Sequence, residues 1–365
     1  MVYLDYAATC PVVKYPQQLY RNVLGEGYFL NPNANYAYKE KRLLSEAENR
    51  VKKVIGAKSG KVVFGGTSSQ LIENLMNVNH NYQVWCSPWE HDSFFRYGDV
   101  NNIVSDLDEL ESWLKTALPS DIDDFYVSRP VVMWQAVQNI TGEIFPAKQI
   151  GELVHKYNGF YICDGTAQLG HTLIEPNIDD WCDFWCCGGH KAGTELGIGC
   201  CWVSDRLDKW LNGFKLHGTP NLAGALSMTQ AVEEACDKDT IAKRNEHWFY
   251  LFKGFGLSLL DNGIRWVGVD RREWKTGTWA INAIRLPGFN ARPLQSYLAS
   301  KEIYIGLGQS SCADEADRRI LCQGYDLSEQ EANEVVRISF GEDSSVEDVE
   351  ALVEGIKEFQ DTYVK

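Results

Sequence analysis

Short apolar runs alternate with helical patterns through the first half of the chain. Apolar residues recur at helical spacing in the stretches between the runs. The runs of strand length lie at residues 62–64, 84–86, 131–134, 160–163 and 183–187, and the helical stretches at 71–78, 107–118 and 147–157. This order predicts a parallel sheet with helices on both faces. Ligands of such sheets bind at the carboxyl ends of the strands, so the residues that follow each run are the candidates for a site.

Lys191 follows the run at 183–187, in a stretch rich in glycine, Gly188-Gly189-His190-Lys191-Ala192-Gly193. An ammonium in a tight, half-buried turn is costly to desolvate without a partner. A lysine amine also forms Schiff bases, and its pKa falls readily on burial. Covalent chemistry therefore accounts for this residue, and a solvated lysine on a flexible loop is the alternative.

The run at 62–64 leads into Gly65-Gly66-Thr67-Ser68-Ser69, and a helical pattern follows. A strand, a turn rich in glycine and hydroxyl groups, and a helix together present backbone N–H groups to a phosphate. An ordinary helix-capping turn has a similar sequence. His91, Asn139 and Asp164 each follow a predicted strand in the same way.

A long helical region extends to about residue 255, and the pattern changes from there. Strand-like stretches at 279–286, 303–305 and 335–340 are mixed with helical stretches at 293–301 and 345–359. We predict a large, mainly parallel α/β domain over residues 13–245. A smaller α+β domain is predicted from residues 1–12 together with 246–365, so that the N-terminal strand completes it.

Composition narrows the class of protein. The chain has 365 residues, 44% of them hydrophobic, and a formal net charge of -15. That charge disfavours direct binding of nucleic acid and favours a basic partner protein. Eleven scattered cysteines do not form a disulfide framework, and the absence of a long apolar run argues against a membrane span. We expect a cytoplasmic protein.

Motifs in order along the chain resemble the cysteine desulfurases, which are pyridoxal phosphate (PLP) enzymes of fold type I in the class V aminotransferase superfamily. The matching stretches are residues 3–9 (Tyr-Leu-Asp-Tyr-Ala-Ala-Thr), 90–91 (Glu-His), 139–142 (Asn-Ile-Thr-Gly), 190–191 (His-Lys), 218–221 (Gly-Thr-Pro-Asn), 310–313 (Ser-Ser-Cys-Ala) and 337–341 (Arg-Ile-Ser-Phe-Gly). The resemblance covers almost the whole chain. It implies a homodimer that converts L-cysteine to L-alanine and passes the sulfur to an acceptor protein.

The resemblance gives the strand-end residues roles toward PLP. Lys191 is expected to bond the cofactor and later to carry the substrate α-proton, and His91 to lie over the ring. Asp164 is expected to pair with the pyridine nitrogen, so that the ring acts as an electron sink. From the residues alone, His91 reads equally as a helix-capping or core histidine, and a strand-end aspartate such as Asp164 is most often a helix cap.

The cofactor's oxygens are expected to be held by further residues. The resemblance places Asn139 and Gln168 at the ring oxygen, with a turn asparagine as the alternative for Asn139. It places Ser68, Ser69 and His190 at the phosphate, together with Thr219 from the neighbouring subunit.

Two further residues would act on the substrate, and Asn139 is expected to bind it as well. Arg337 is expected to bind its carboxylate bidentately, and an exposed arginine on an edge strand is the alternative. Cys312 lies in a polar, glycine-bearing stretch where a structural cysteine would gain little from burial. By resemblance, its thiolate takes the sulfur of the substrate as a persulfide.

The chain departs from the family pattern at several positions. Asp164 and Gln168 are one residue further apart than in relatives, and Gly188 stands where relatives have a phosphate-binding serine. Leu216 replaces a usual arginine, and Gly193-Thr194-Glu195-Leu196-Gly197 replaces a glycine-proline-lysine-glycine stretch. These differences suggest a divergent, specialised desulfurase.

Two other functions stay open at this point. One is a PLP-dependent C–S lyase or aminotransferase of the same fold in which Cys312 is not catalytic. The other is a catalytically idle scaffold that recruits a partner. The sequence does not distinguish iron–sulfur cluster assembly, tRNA thiolation and DNA phosphorothioation as the destination of the sulfur.

Overall fold

The computed structural model describes residues 1–28, 31–78, 82–98, 102–117, 129–259, 263–269, 276–308 and 318–363. The chain divides into two compact units. The lysine unit, named for Lys191, comprises Pro11–Ala136 and Pro146–Lys238. The arginine unit, named for Arg337, comprises Met1–Cys10, Val137–Phe145 and Asp239–Lys365. The domain boundaries given above from the sequence stay a prediction.

The strands are numbered along the chain. They are β1 (Val2–Leu4), β2 (Lys61–Gly65), β3 (Tyr82–Cys86), β4 (Arg129–Met133), β5 (Phe160–Asp164), β6 (Phe184–Gly188), β7 (Gly199–Val203), β8 (Arg265–Trp266), β9 (Ile281–Arg285), β10 (Ile303–Leu307) and β11 (Val335–Ser339). The helices are α1 (Lys14–Gly25), α2 (Tyr38–Val54), α3 (Ser68–Asn77), α4 (Asp92–Phe95), α5 (Leu107–Ala117), α6 (Ala147–Lys156), α7 (Asp205–Trp210), α8 (Leu222–Ala235), α9 (Lys238–Leu259), α10 (Ala291–Ser300), α11 (Glu329–Ala332) and α12 (Val346–Tyr363). Single 3-10 turns lie at Ile178–Asp180 and Gly189–Lys191, and a π-helical turn at Ile320–Gly324.

The lysine unit contains a sheet in the order β2-β7-β6-β5-β4-β3. Strands β3, β4, β5 and β6 are parallel to one another, whereas β7 is antiparallel to both β6 and β2. Every residue of β5, β6 and β7 is buried. Strands buried on both faces read as continuous apolar runs, and this is why they stand out in the sequence.

Helix α8 is buried along most of its length, from Leu222 to Ala235. It packs against α1 and α2, and its buried residues lie on most sides of the helix. A helix with so little polar surface belongs in the interior, so α8 is part of the core of the lysine unit. The loop that leads into it ends at Asn221, whose side chain accepts a hydrogen bond from the backbone N–H of Gly224 at 2.9 Å.

A buried aspartate marks the amino-terminal edge of this sheet. Asp183 immediately precedes β6 and accepts hydrogen bonds from His155 Nε2 at 2.8 Å and from Arg206 Nη2 at 2.9 Å. Ser204 Oγ and the backbone N–H of Tyr161 donate to the same carboxylate at 3.0 Å each. Burial alone would raise the pKa of Asp183, but the bonds from His155 and Arg206 outweigh it and lower the pKa to about 2.

The arginine unit contains a sheet in the order β1-β10-β11-β9-β8. The N-terminal strand β1 runs parallel to β10, with Val2 opposite Ile303, and the other neighbours are antiparallel. Strand β11 is therefore an inner strand, and all of its residues are buried. Within the described residues of both units, no helix is long and apolar enough to cross a membrane.

Candidate active site

The lysine and an aspartate meet at the carboxyl-terminal edge of the sheet in the lysine unit. Asp164 is the last residue of β5 and is buried. Lys191 ends the 3-10 turn directly after β6 and is half-buried. Because β5 and β6 are parallel neighbours, with Asp164 opposite Cys186, both side chains belong to the same edge. Both residues therefore lie at strand ends on the edge where the sequence predicts a site.

His91 lies in the same cluster of charges. Burial is the main cause of its lowered pKa, the positive charge of Lys191 lowers it further, and the Asp164 carboxylate opposes the shift. The imidazole is therefore neutral at neutral pH. Its Nδ1 also accepts from the backbone N–H of Ser93 at 3.2 Å, which makes His91 the N-cap of α4. The capping role that the sequence left open is real, and a ring fixed in this way has a defined orientation.

The turn before α3 contains the hydroxyl residues predicted to hold a phosphate. Thr67 is the N-cap of the helix, accepting from the backbone N–H of Gln70 at 3.0 Å. Ser68 and Ser69 form the first turn, where backbone N–H groups have no acceptor within the helix. Ser68 is buried and Ser69 is exposed.

Gly188 lies close to this turn and to His190. A β-carbon at position 188 would lie 3.0 Å from Cε1 of His190 and 3.4 Å from Oγ of Ser68. The His190 ring and the Ser68 hydroxyl therefore surround the place where relatives have a serine side chain. Burial, followed by the charges of Lys191 and His91, lowers the pKa of His190 to about 4, so this imidazole is neutral as well.

Asn139 and Arg337 belong to the arginine unit. Arg337 lies on the inner strand β11 with 3% of its surface exposed, so the alternative of an exposed edge arginine is wrong. Its Nη1 donates to the backbone oxygen of Asn139 at 3.1 Å. The Asn139 side chain is itself fixed in the turn, since its Oδ1 accepts from Gln138 Nε2 at 3.3 Å.

Three other predicted residues have different surroundings. Gln168 is buried. Its Oε1 accepts from Trp185 Nε1 at 3.2 Å, and its Nε2 donates to the backbone oxygen of Leu173 at 3.3 Å. These bonds give Gln168 a structural role, and its contact with a cofactor stays a prediction. Thr219 is exposed on the loop before α8. Cys312 lies outside the described residues.

Sequence reasoning assigned no role to Asp5, although Asp5 lies in a matching motif. Its carboxylate Oδ1 accepts from Arg337 Nη2 at 2.8 Å, across 332 positions of sequence. A charged residue directly after a short strand was the available signal. It gave no indication of the partner.

The sheet order and the position of Lys191 define a fold type I transferase, and comparison with known proteins gives the family. The model of the aminotransferase class-V family matches residues 2–352. The chain belongs to this family, which confirms the resemblance and the fold class predicted from the sequence.

Two curated relatives are both named cysteine desulfurase IscS. The protein of Dictyoglomus turgidum is 26% identical over 258 residues, covering 64% of each chain. That of Mannheimia succiniciproducens is 22% identical over 393 residues, covering 98% of this chain and 92% of the relative. The matches to the first three curated relatives span 64%, 58% and 65% of their lengths.

Solved structures show the same fold. The NifS-like protein from Rickettsia africae superimposes with a TM-score of 0.83 at 19% identity, covering 99% of this chain and all of the other. The apo structure of a cysteine desulfurase from Thermococcus onnurineus gives a TM-score of 0.76 at 19% identity, covering 98% and 94%.

The residues of the lysine unit fit PLP, the cofactor that this family implies. PLP needs an amine for its aldehyde carbon, a carboxylate for its ring nitrogen and donors for its phosphate. Lys191 and Asp164 would supply the first two, and Ser68 with the start of α3, next to Gly188, would supply the third. Among the described residues, no cluster of side chains is suited to a metal ion.

Proposed function

We propose that this protein is a PLP-dependent cysteine desulfurase that converts L-cysteine to L-alanine. The observation that carries the proposal is that Asp164 and Lys191 lie at the carboxyl ends of neighbouring parallel strands and that the charge of Lys191 acts on both His91 and His190. A purely structural lysine gains nothing from such surroundings. The names of the curated relatives support the same activity.

The roles toward the cofactor are those that the family resemblance implies. Lys191 would bond its aldehyde carbon, and Asp164 would pair with the ring nitrogen. The neutral ring of His91 would lie over the cofactor, and Asn139 would contact the ring oxygen. Ser68, Ser69 and His190 bind the phosphate, with the start of α3 favouring its negative charge. Bound PLP supplies an electron sink that weakens the bonds around the substrate α-carbon.

The substrate's α-carboxylate is the ligand proposed for Arg337. A buried guanidinium binds a carboxylate through two parallel N–H donors, which fixes both its position and its orientation. Lys191 then takes the α-proton at its Nζ and returns it to the product. A lysine amine serves as a base when its surroundings lower its pKa, and the half-buried turn at the end of β6 suits that role.

Cys312 is proposed to receive the sulfur. Its thiolate bonds to the sulfur of L-cysteine, the bond between that sulfur and Cβ breaks, and a proton completes the methyl group of L-alanine. One thiol and L-cysteine thus give one persulfide and L-alanine, with no oxidant required. An acceptor protein takes the persulfide sulfur onward to iron–sulfur assembly, tRNA thiolation or DNA phosphorothioation. The net charge of -15 suits a basic acceptor.

A homodimer is also part of the proposal, since Thr219 would then reach the phosphate of the other subunit. Its exposure on the loop before α8 supports this role. Sedimentation of the purified protein tests the oligomeric state. A monomer would contradict the role of Thr219.

The test of the function is spectroscopic and chemical. We expect the protein, once loaded with PLP, to absorb at roughly 390 to 420 nm, and Lys191→Ala to lose that band. L-cysteine should yield L-alanine with the wild type, and Cys312→Ala should yield little. Cys322→Ala is the matched control, because Cys322 is a half-buried cysteine ten residues further on, and it should behave as wild type.

Two outcomes would change the assignment. Full turnover by Cys312→Ala would favour the lyase or aminotransferase, in which that thiol has no part. A protein that cannot be loaded with PLP would contradict the proposed activity altogether.

A further inference from the structure

The guanidinium proposed to bind substrate already has a carboxylate partner inside the arginine unit. Arg337 Nη2 donates to Asp5 Oδ1 at 2.8 Å, and Nη1 donates to the backbone oxygen of Asn139 at 3.1 Å. Its Nε is buried and has no hydrogen-bond partner among the residues that the structure describes. A guanidinium has five N–H donors, so further donors remain for a second carboxylate.

Strand β10 has a glycine where the Asp5–Arg337 pair packs against it. A β-carbon at Gly306 of β10 would lie 2.6 Å from Asp5 Oδ1 and 3.0 Å from Arg337 Nε. Any larger residue would push the two side chains aside. Gly306 therefore permits the pair to form against the backbone of β10.

The Asp5 side chain is not needed for the turn that follows β1. Its backbone oxygen, not its carboxylate, accepts from the backbone N–H of Ala8 at 3.0 Å and from Tyr3 OH at 3.1 Å. The carboxylate is 22% exposed and points to Arg337. A substitution at Asp5 thus changes the charge beside the guanidinium and leaves the local backbone bonds in place.

We infer that Asp5 sets the affinity of the Arg337 subsite for amino-acid carboxylates. A substrate carboxylate has to share the guanidinium with Asp5 and is repelled by it, because like charges within a few ångströms oppose each other. Arg337 therefore binds a carboxylate more weakly than an arginine without a carboxylate partner would, and the product leaves more readily. The inference rests on the proposed function, in which Arg337 binds the substrate carboxylate.

The test is a titration of the PLP-loaded protein with L-alanine, followed by the change in cofactor absorbance. Asp5→Asn keeps an oxygen acceptor for Nη2 and removes the charge. We expect its Kd for L-alanine to fall about tenfold, which corresponds to about 1.4 kcal/mol. Ethylamine, which is L-alanine without its carboxylate, should bind both proteins equally. Asp361→Asn makes the same charge change on the exposed end of α12 and should leave both affinities unchanged.

The outcomes separate this inference from the proposed function. A protein without the cofactor band would contradict both. If the cofactor band is present but the Kd of Asp5→Asn for L-alanine is unchanged or higher, the role of Asp5 alone is contradicted. The same conclusion follows if the Kd for ethylamine changes as much as the Kd for L-alanine. Thermal unfolding checks that the variant is folded. If it is not, Asp5→Ser replaces it, because serine also removes the charge and keeps an oxygen.

Discussion

The buried carboxylate of Asp183 should be among the most costly to alter in the lysine unit. The change to test is Asp183→Asn, which keeps the shape and removes the charge. Asp183 is 1% exposed, and its carboxylate accepts hydrogen bonds from Nε and Nη2 of Arg206 and from the ring of His155. Removing one partner of a buried pair leaves an uncompensated charge and costs about 3–5 kcal/mol. We expect a loss of stability of that size at neutral pH.

The pH dependence follows from the lowered pKa. An aspartate that titrates near 3.8 when unfolded and near 2 in the folded protein contributes about 2 kcal/mol at neutral pH. This stability is fully present above pH 3.8, because both states are then ionised. It is lost as the pH falls toward 2, since the unfolded state binds the proton first. The wild type should show this loss below pH 4, and Asp183→Asn should lack it.

Urea unfolding followed by circular dichroism measures both effects. Glu111→Gln is the matched control: Glu111 also has its pKa lowered to about 2, through bonds to Lys156, Tyr157 and Lys115, but lies at the surface. Solvent screens such pairs, so its midpoint should not move. Equal midpoints for wild type and Asp183→Asn, or equal shifts in both variants, would refute the reasoning.

Three further predictions concern Gly151, His190 and the cysteine pair Cys187 and Cys200. Gly151→Ala in α6 should lower the urea midpoint, because the added β-carbon would lie 1.8 Å from the backbone oxygen of Trp181. This clash should outweigh the helix propensity of alanine, which exceeds that of glycine by about 1 kcal/mol. A raised midpoint would contradict this. His190 should titrate near pH 4 by NMR in the protein without PLP, and its contribution should lower stability as the pH falls from 6.5 toward 4, because the unfolded state binds the proton first. A midpoint near 6.5 would contradict the burial of its ring. Cys187 and Cys200 are buried with their sulfurs 3.5 Å apart, and burial raises the pKa of the Cys187 thiol. Iodoacetamide should therefore label both cysteines far faster in urea than in the native protein, as measured by mass spectrometry.

Much of the sheet in the lysine unit follows from local patterns. The apolar run at 160–163 corresponds to β5, Phe160–Asp164, and the run at 131–134 to β4, Arg129–Met133. The helical pattern at 107–118 corresponds to α5, Leu107–Ala117. Strands buried on both faces appear as continuous apolar runs, and amphipathic helices as a repeat of about 3.6 residues, so a sequence shows both directly. The parallel order then places Asp164 and Lys191 at one edge.

Contacts between distant residues are not visible in such patterns. Asp5 and Arg337 are 332 positions apart, and nothing near either residue indicates the other. The departure at Gly188 read only as a missing serine, until the structure placed Ser68 and His190 around the same space. For His91, capping was stated as the alternative to a role at the site, yet the residue caps α4 and also lies in the charge cluster with Lys191 and Asp164.

The two aspartates at opposite edges of the sheet should separate stability from cofactor binding. Asp183 precedes β6 and is saturated by partners from the protein itself, including Arg206 and His155. Asp164 ends β5, where its Oδ1 accepts from the backbone N–H of Thr166 at 2.8 Å and where Lys191 lies in the same charge cluster. We therefore expect Asp164→Asn to weaken PLP binding at least tenfold with little change in the urea midpoint of the cofactor-free protein. Asp183→Asn should do the opposite, and a variant that changed both quantities together would show that the two edges are not independent.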